Sequence, residues 1–365
     1  MAVAGCFRAL ILHDVAEAIR LDKLRSILGV SPADRAPSFA HRTPDYVRFE
    51  QPPVVEALEP SQLETGERVQ STAKYYDYGV VSIELELQFE CEWDVLVERS
   101  SRWISTPGLE TRAHELMGRA FERARSALVR AYDHWLIEDY YIIQLSHIPD
   151  PRGRPTTAAE LLDHHGSQIS QIIRAESVPL SDAESREILQ SSISYYPTDL
   201  LVAGWTAALV YDTPEGAAPT IQLLEYANTQ LLEYRHYDNL LTNVLETVYR
   251  SMQRGIGFFS RWRMAHGAER LNTIRLDVIE LTERTDNSIK FLSDMFYARL
   301  YRVAAARVGV PDYRNLVDEK LRTASELYQF MVDQFNQARA LVLELVVVFI
   351  LIMEMVLLLF WGKVT

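Results

Sequence analysis

The stretch Ala340-Leu-Val-Leu-Glu-Leu-Val-Val-Val-Phe-Ile-Leu-Ile-Met-Glu-Met-Val-Leu-Leu-Leu-Phe360, closed by Trp361-Gly-Lys-Val-Thr365, decides how the rest of the chain is read. From Leu345 to Phe360 every residue except Glu354 is apolar. As a helix this run extends about 24 Å, and Ala340 to Trp361 about 33 Å, against a hydrocarbon core of roughly 30 Å. Its Leu, Ile, Val and Phe residues contribute about −0.3 to −0.6 kcal/mol each, which outweighs one central acid at roughly +2.5 to +3.5. The alternative is a buried core helix, apolar on all sides. The terminal position and the Trp-Gly-Lys edge favour a transmembrane helix over residues 340–361. Its anchor residues are Leu345, Phe349, Ile352, Val356, Phe360 and Trp361. Glu344 and Glu354 then become intramembrane acids, about 80° apart around the helix. Glu344 can snorkel to the interface, whereas Glu354 is too deep for that and is expected to face protein.

Upstream, a heptad seam enters the tail without a change of phase. Val317, Leu321, Ala324, Tyr328, Met331, Phe335, Ala338, Val342, Leu345, Phe349, Ile352 and Val356 step alternately by four and three. Such a seam buries little unless it meets a partner, so a homo-oligomer is expected through Val317, Leu321, Tyr328, Met331 and Phe335. The second long helix of the same chain could satisfy the seam instead. Two further helical runs precede it, from Leu223 to about Arg250 and from Leu271 to Met295. Breaks fall at Gly255-Ile-Gly257 and Gly309-Val-Pro311. Residues 214–339 therefore read as a three-helix stalk continuous with the anchor.

Residues 1–213 mix both periodicities and read as an α+β head. Cys6 to His13 predicts a buried strand, and Val15 to Leu28 a helix stopped by Gly29. Val30 to Ser71, rich in Pro, Ser and acid, reads as loop with a brief strand signal at Tyr46 to Phe49. Tyr75 to Phe89 is the clearest strand: Ile83, Leu85, Leu87 and Phe89 alternate with Glu84, Glu86 and Gln88, predicting one buried and one wet face. A helix near Trp93 to Trp103 follows, then another over Leu109 to Tyr132. After these come a strand over Trp135 to Ile148 and helices over Thr157 to Glu176 and Ser181 to Ser192. Asp199 to Asp212 is the last strand.

Fifty acidic against thirty-seven basic residues give a net charge of −13, so the chain as a whole is a poor polyanion binder. Cys6 and Cys91 lie far apart in no metal or redox spacing and read as reduced thiols. No signal peptide is expected from the first residues, because Arg8, His13 and Asp14 interrupt their apolar run. The simplest topology is a single-pass protein with a cytoplasmic body, in a bacterial inner membrane or an organelle membrane.

Signals for catalysis are sparse. Phosphate-loop, dinucleotide-fingerprint and nucleophile-elbow motifs are missing. His114-Glu115 opens like a zinc-protease motif, but Gly118 stands where its second histidine belongs. His164 and His165 are adjacent and point to different sides of a helix, so no metal or cofactor is expected. Tyr234, Arg235, His236 and Tyr237 form a polar-aromatic patch, readable as a recognition surface or as a helix docking on the head. Arg254, Phe258, Phe259, Arg261, Trp262, Arg263, Arg270 and Arg275 are the one basic-aromatic concentration. It suits lipid headgroups or a solvated face better than nucleic acid, which is not expected as a partner.

Asp318-Glu-Lys-Leu321, Glu326-Leu327, Arg339-Ala-Leu341, Leu343-Glu344 and Ile350-Leu-Ile352 with Glu354 resemble the C-terminal signature of the required-for-meiotic-nuclear-division family, the YagE-like domain. The strand and helix at Cys6 to Leu28, and Tyr78-Gly79-Val80-Val81, are similar in weaker ways to that family's head. The stretch from about 150 to 250 departs from its pattern. This resemblance implies membrane-anchored, non-enzymatic proteins and carries no catalytic residues. The expectation from the sequence is thus a tail-anchored scaffold or tether contacting membrane lipid, copies of itself and a further protein partner. An enzyme or ligand sensor with a cleft in its head, and a membrane-disrupting effector with a sheathed tail, are the alternatives.

Overall fold

A computed structural model describes residues 2–29, 52–63, 66–148, 153–253, 273–276, 278–280 and 295–361. Within its helices the side chains of residues 248, 251–253, 328, 331–343, 345 and 356–361 lie outside that description. The chain divides into two compact units, one of Met1–His236 with Leu281–Arg314 and one of Tyr237–Glu280 with Asn315–Thr365.

The first unit is built on one eight-stranded mixed sheet in the order β2-β3-β4-β1-β5-β8-β7-β6. Its spine is β1 (Ala2–Ile19), eighteen residues long, flanked by β4 (Val80–Glu92) and β5 (Leu128–Leu145). Both neighbours run antiparallel to it, with Ile11 opposite Ile83 on one side and Asp139 on the other. β2 (Val54–Gln62) and β3 (Arg68–Tyr75) extend the sheet beyond β4. On the far edge β5 pairs in parallel with β8 (Ala207–Tyr211), which forms a hairpin with β7 (Leu200–Ala203) and then short β6 (Ser192–Ile193). The separate α+β head expected from the sequence is corrected to this single mixed sheet with helices.

Alternation along the strands divides the side chains between two faces. Phe7, Ala9, Ile11, Ile83, Leu85, Leu87, Tyr141 and Ile143 join one continuous core with residues of α2 (Trp93–Ser105), α3 (Gly108–Ala124) and α4 (Ala158–Arg174). α1 (Leu21–Leu28) contributes Leu24, and α5 (Asp182–Leu189) contributes Ile188. Thr157 and Glu160 close a reciprocal capping box on α4.

The opposite face carries Arg8, Leu10, Leu12, Asp14, Ser82, Glu84 and Gln144. The sequence predicts that face to be wet, but Glu84 is 4% exposed and Gln144 3%. The cover is α6 (Pro214–Gln253), of which residues 223–234 are all buried although they include Glu225, Asn228, Thr229, Gln230 and Glu233. α7 (Met295–Val308) lies on α6 in turn, with Tyr226 and Tyr301 rings 6.0 Å apart and the Tyr301 hydroxyl donating to Gln230. α6 is thus buried on more than one side.

Other departures have local causes. Val15 to Ile19 carries helical spacing but continues β1, because Ala16, Ala18 and Ile19 pair with Ala131, Val129 and Leu128. The same ladder converts Leu128 to Tyr132 from the expected helix to strand. β2 and the start of β3 occupy ground read as loop, and the expected last strand is the β7–β8 hairpin. The Tyr46 to Phe49 signal lies outside the described residues.

The second unit is helical among its described residues. It includes the C-terminal part of α6, helical residues 273–276 and 278–280, and α8 (Val310–Trp361) from Asn315 onward. Leu241, Val244, Ile274, Val278, Val317 and Ala324 are buried in it. Lys320 ties α8 to α6, 2.5 Å from Asp238 and donating to Thr242 at 2.7 Å. Between α7 and α8 stands Gly309 at φ +90°.

Among the described residues no helix is long and apolar enough to cross a membrane. This overturns the transmembrane helix over 340–361, and with it the tail anchor and the single-pass localisation. The tail side chains that are described in succession, Val346 to Met355, make about 15 Å of helix against roughly 30 Å of hydrocarbon.

Candidate functional site

Three arrangements compete for function: the charged layer beneath α6, the polar-aromatic patch at its middle, and the apolar end of α8.

The charged layer forms because β1, β3 and β4 each turn a long polar side chain toward α6. Lys74 donates to Glu225 at 2.5 Å and lies 2.8 Å from Glu84. Arg8 donates to Glu84 at 2.7 Å, to Glu86, and to Gln144 at 3.3 Å. Glu225 is fully buried and Glu84 nearly so. Burial pushes the Glu84 carboxyl up, but Lys74 and Arg8 overcome it and hold it at about 2. Burial pulls Lys74 down, and Glu225 and Glu84 more than reverse that. Lys74 and Glu84 are therefore held in their charged forms, so this pair is a clamp rather than a proton-transfer site. Burial also pushes the Cys6 thiol up to about 12, away from nucleophilic chemistry.

On the core face, His13 is fully buried with neither ring nitrogen hydrogen-bonded. Its ring meets Trp135 edge-on at 6.0 Å and His114 at 6.1 Å. Burial, reinforced by His114, lowers its pKa to about 4. His114 thus lies against a core histidine. Among the described residues no group of three His, Cys, Asp or Glu is placed to hold a metal ion.

The polar-aromatic patch faces inward for three of its four residues. Tyr234 is 1% exposed. Arg235 donates to Glu138 of β5, and His236 sits 2.5 Å from Asp14 of β1 while stacking on Tyr132 at 4.9 Å. Tyr237 begins the second unit and is half-buried. Tyr234, Arg235 and His236 thus hold α6 to the sheet. Of the basic-aromatic concentration, Arg254, Phe258, Phe259, Arg261, Trp262, Arg263 and Arg270 lie outside the described residues. Arg275 is exposed on its helical turn.

The heptad seam behaves differently along its length. Val317 and Ala324 are fully buried within the second unit, and Leu321 is half-buried. The side chains of Tyr328, Met331, Phe335, Leu345, Val356, Phe360 and Trp361 lie outside the described residues. Val346 to Met353, and Met355 beyond, are all exposed, from 48% at Val346 to 68% at Phe349. Glu344 and Glu354, expected as intramembrane acids, are exposed too. From Val346 to Met353 the helix is therefore apolar and uncovered around its whole circumference.

A family model described as the N-terminal domain of the uncharacterized protein MJ0711 matches residues 4–218. The chain belongs to that family. The match spans the whole sheet and ends in the first turns of α6, so it lies at the opposite end from the signature that suggested the meiotic-division family, and that resemblance is overturned. The uncharacterized protein MJ0711 of Methanocaldococcus jannaschii is 22% identical over 243 residues, 67% of this chain and 72% of that protein. No solved structure matches the chain.

Proposed function

We propose that this chain is a non-enzymatic scaffold whose copies assemble through the distal part of α8. One observation carries the reading: Val346 to Met353 is exposed on every side of a helix, whereas an all-apolar helix is stable only when surrounded. A second copy of the same chain is the occupant that suits it. The four-and-three seam continues through Phe349 and Ile352, and a heptad repeat is complementary to itself about a symmetry axis. Because the apolar surface is not one stripe, more than two helices have to gather to cover it. Glu344 and Glu354 fall off the seam, where they can stay at the rim of such a bundle.

Sedimentation or light scattering of the full chain in micromolar solution tests this. The expected result is a mass of three or more copies, reduced when Phe349 and Ile352 are both changed to Asp. A wild-type chain that sediments as a monomer would refute the assembly.

A further inference from the structure

The first unit carries a second feature that neither the charged clamp nor the assembly uses. Where β7 and β8 meet the first turns of α6 and the start of α7, a cleft of about 50 Å³ opens. Its rim is aromatic. The Tyr195 and Tyr196 rings meet edge-on at 4.8 Å, and Phe296 approaches Tyr195 at 4.9 Å. Tyr195 is 53% exposed and Tyr196 44%. Among the described residues two carboxylates, Asp199 and Asp212, share the lining and no Lys or Arg does; Arg299, outside it, lies 5.7 Å over the Phe296 ring.

Both carboxylates are held in place by the backbone. Asp199 accepts from the Tyr195 and Tyr196 amides at 2.7 and 2.9 Å, which fixes the turn presenting the two rings. Asp212 accepts from the Thr213 amide at 2.7 Å, and its carboxylate lies over Gly216, where a Cβ would come within 2.3 Å of Oδ2. Burial raises the Asp212 pKa, and Asp199 raises it further, so the two acids feel one another across the cleft. His147, outside the lining, is 3.8 Å from Asp212.

We propose that this cleft is a binding site for a guanidinium group. Two fixed negative charges repel anions, and the start of α6 is already taken by Asp212 and by Thr213, whose hydroxyl accepts from the Gly216 amide at 3.1 Å. Aromatic faces and edges beside carboxylates suit a weakly hydrated, planar cation that stacks and hydrogen-bonds at once, which favours guanidinium over a compact ammonium. The size agrees. A water needs about 10–15 Å³ of such space, so the cleft admits about three to five non-hydrogen atoms, a range that holds the four of a guanidinium. The group could come from a free guanidino compound or from an arginine side chain of a polypeptide, and the chemistry is the same.

Calorimetric titration of the full chain with methylguanidinium, N-acetyl-arginine amide, a Gly-Gly-Arg-Gly-Gly peptide and methyl phosphate tests the assignment. Saturable binding of the first three and none of the last is expected. Tyr195→Ala and Asp212→Asn should each weaken binding by about tenfold. Gly216→Ala, which displaces the Asp212 carboxylate without removing charge, should weaken it as well. If Asp212→Asn fails to fold, the exposed Tyr195 keeps the test open. A peptide that binds more tightly than the amide supports a polypeptide source, and equal affinity supports a free compound. No saturable guanidinium binding, binding unchanged by Tyr195→Ala, or methyl phosphate binding equally well would each overturn the site.

Discussion

The sheet unit and the distal end of α8 treat polar and apolar residues in opposite ways. In the first, Glu84, Glu225, Gln230 and Gln144 are buried and Lys74 is mostly so; in the second, eight consecutive apolar residues from Val346 to Met353 are exposed. The contrast teaches that composition does not by itself say which surface is interior. A charge can be buried when partners at 2.5 to 2.8 Å replace its water, and the Lys74 pair with Glu225 and Glu84 does so. An apolar helix is left exposed where, as at Val346 to Met353, none of the described residues covers it. The charged layer of the first unit is thus held by its ion pairs, whereas among the described residues nothing covers Val346 to Met353.

If that contrast is right, its two halves should respond differently to substitution. The largest effect is expected from Lys74→Met, which takes the Lys74 cation from buried Glu225 and leaves Glu84 with Arg8 alone. Chemical denaturation should show a loss of about 3–5 kcal/mol. A loss under 1 kcal/mol would mean that water reaches the layer.

Acid should expose the next effect through His13, whose folded pKa of about 4 lies below its ordinary 6.5. Between those values the unfolded chain binds the proton and the folded one does not, so stability rises with pH and falls on acidification across that window. The loss amounts to roughly 3 kcal/mol between pH 6.5 and 4. His13→Phe should flatten the slope there. Glu84 acts in a lower window: its folded pKa of about 2 sits below the usual 4.5, so its contribution is present above 4.5 and fades toward pH 2. A wild-type slope that survives in the His13→Phe variant would move the origin elsewhere.

A backbone effect comes third. Gly79 turns the chain into β4 at φ +98°, and a Cβ there would stand 1.8 Å from the Ala16 carbonyl oxygen. Gly79→Ala should cost about 2 kcal/mol or more, read from the shift in unfolding midpoint. The smallest effect sharpens the comparison most. Phe349→Ser, at 68% exposure, should leave monomer stability within about 0.5 kcal/mol while lowering the assembled mass. A large stability loss in a monomeric sample would show that Phe349 is covered by its own chain.

Much of the local structure is legible in the sequence. The alternation of Ile83, Leu85, Leu87 and Phe89 with acids specifies a strand with one apolar face, and Thr157 with Glu160 marks a helix start. The step from Val308 through Gly309 to Val310 separates two helices because glycine accepts a positive φ there. The apolar content of residues 345–360 is equally plain, but its reading as a membrane span fails because no described helix is long and apolar enough to cross a membrane. The charged clamp left no comparable trace. Arg8, Lys74, Glu84 and Glu225 are scattered over more than two hundred positions, and none belongs to a motif.

What the sequence by itself determined is therefore periodic and local: strand faces, helix caps, the glycine break and the phase of the seam. These depend on neighbours within a few residues, where φ/ψ preferences and side-chain spacing act directly. Only the tertiary structure decided that the acidic face of β4 is covered, that Val15 to Ile19 is strand, and that Tyr195, Asp199, Asp212 and Phe296 share one cleft. Each of those depends on which distant segment supplies the opposing surface. A carboxylate on a strand is wet or buried according to whether Lys74 and α6 arrive to replace its water, and nothing within a few residues of Glu84 records that.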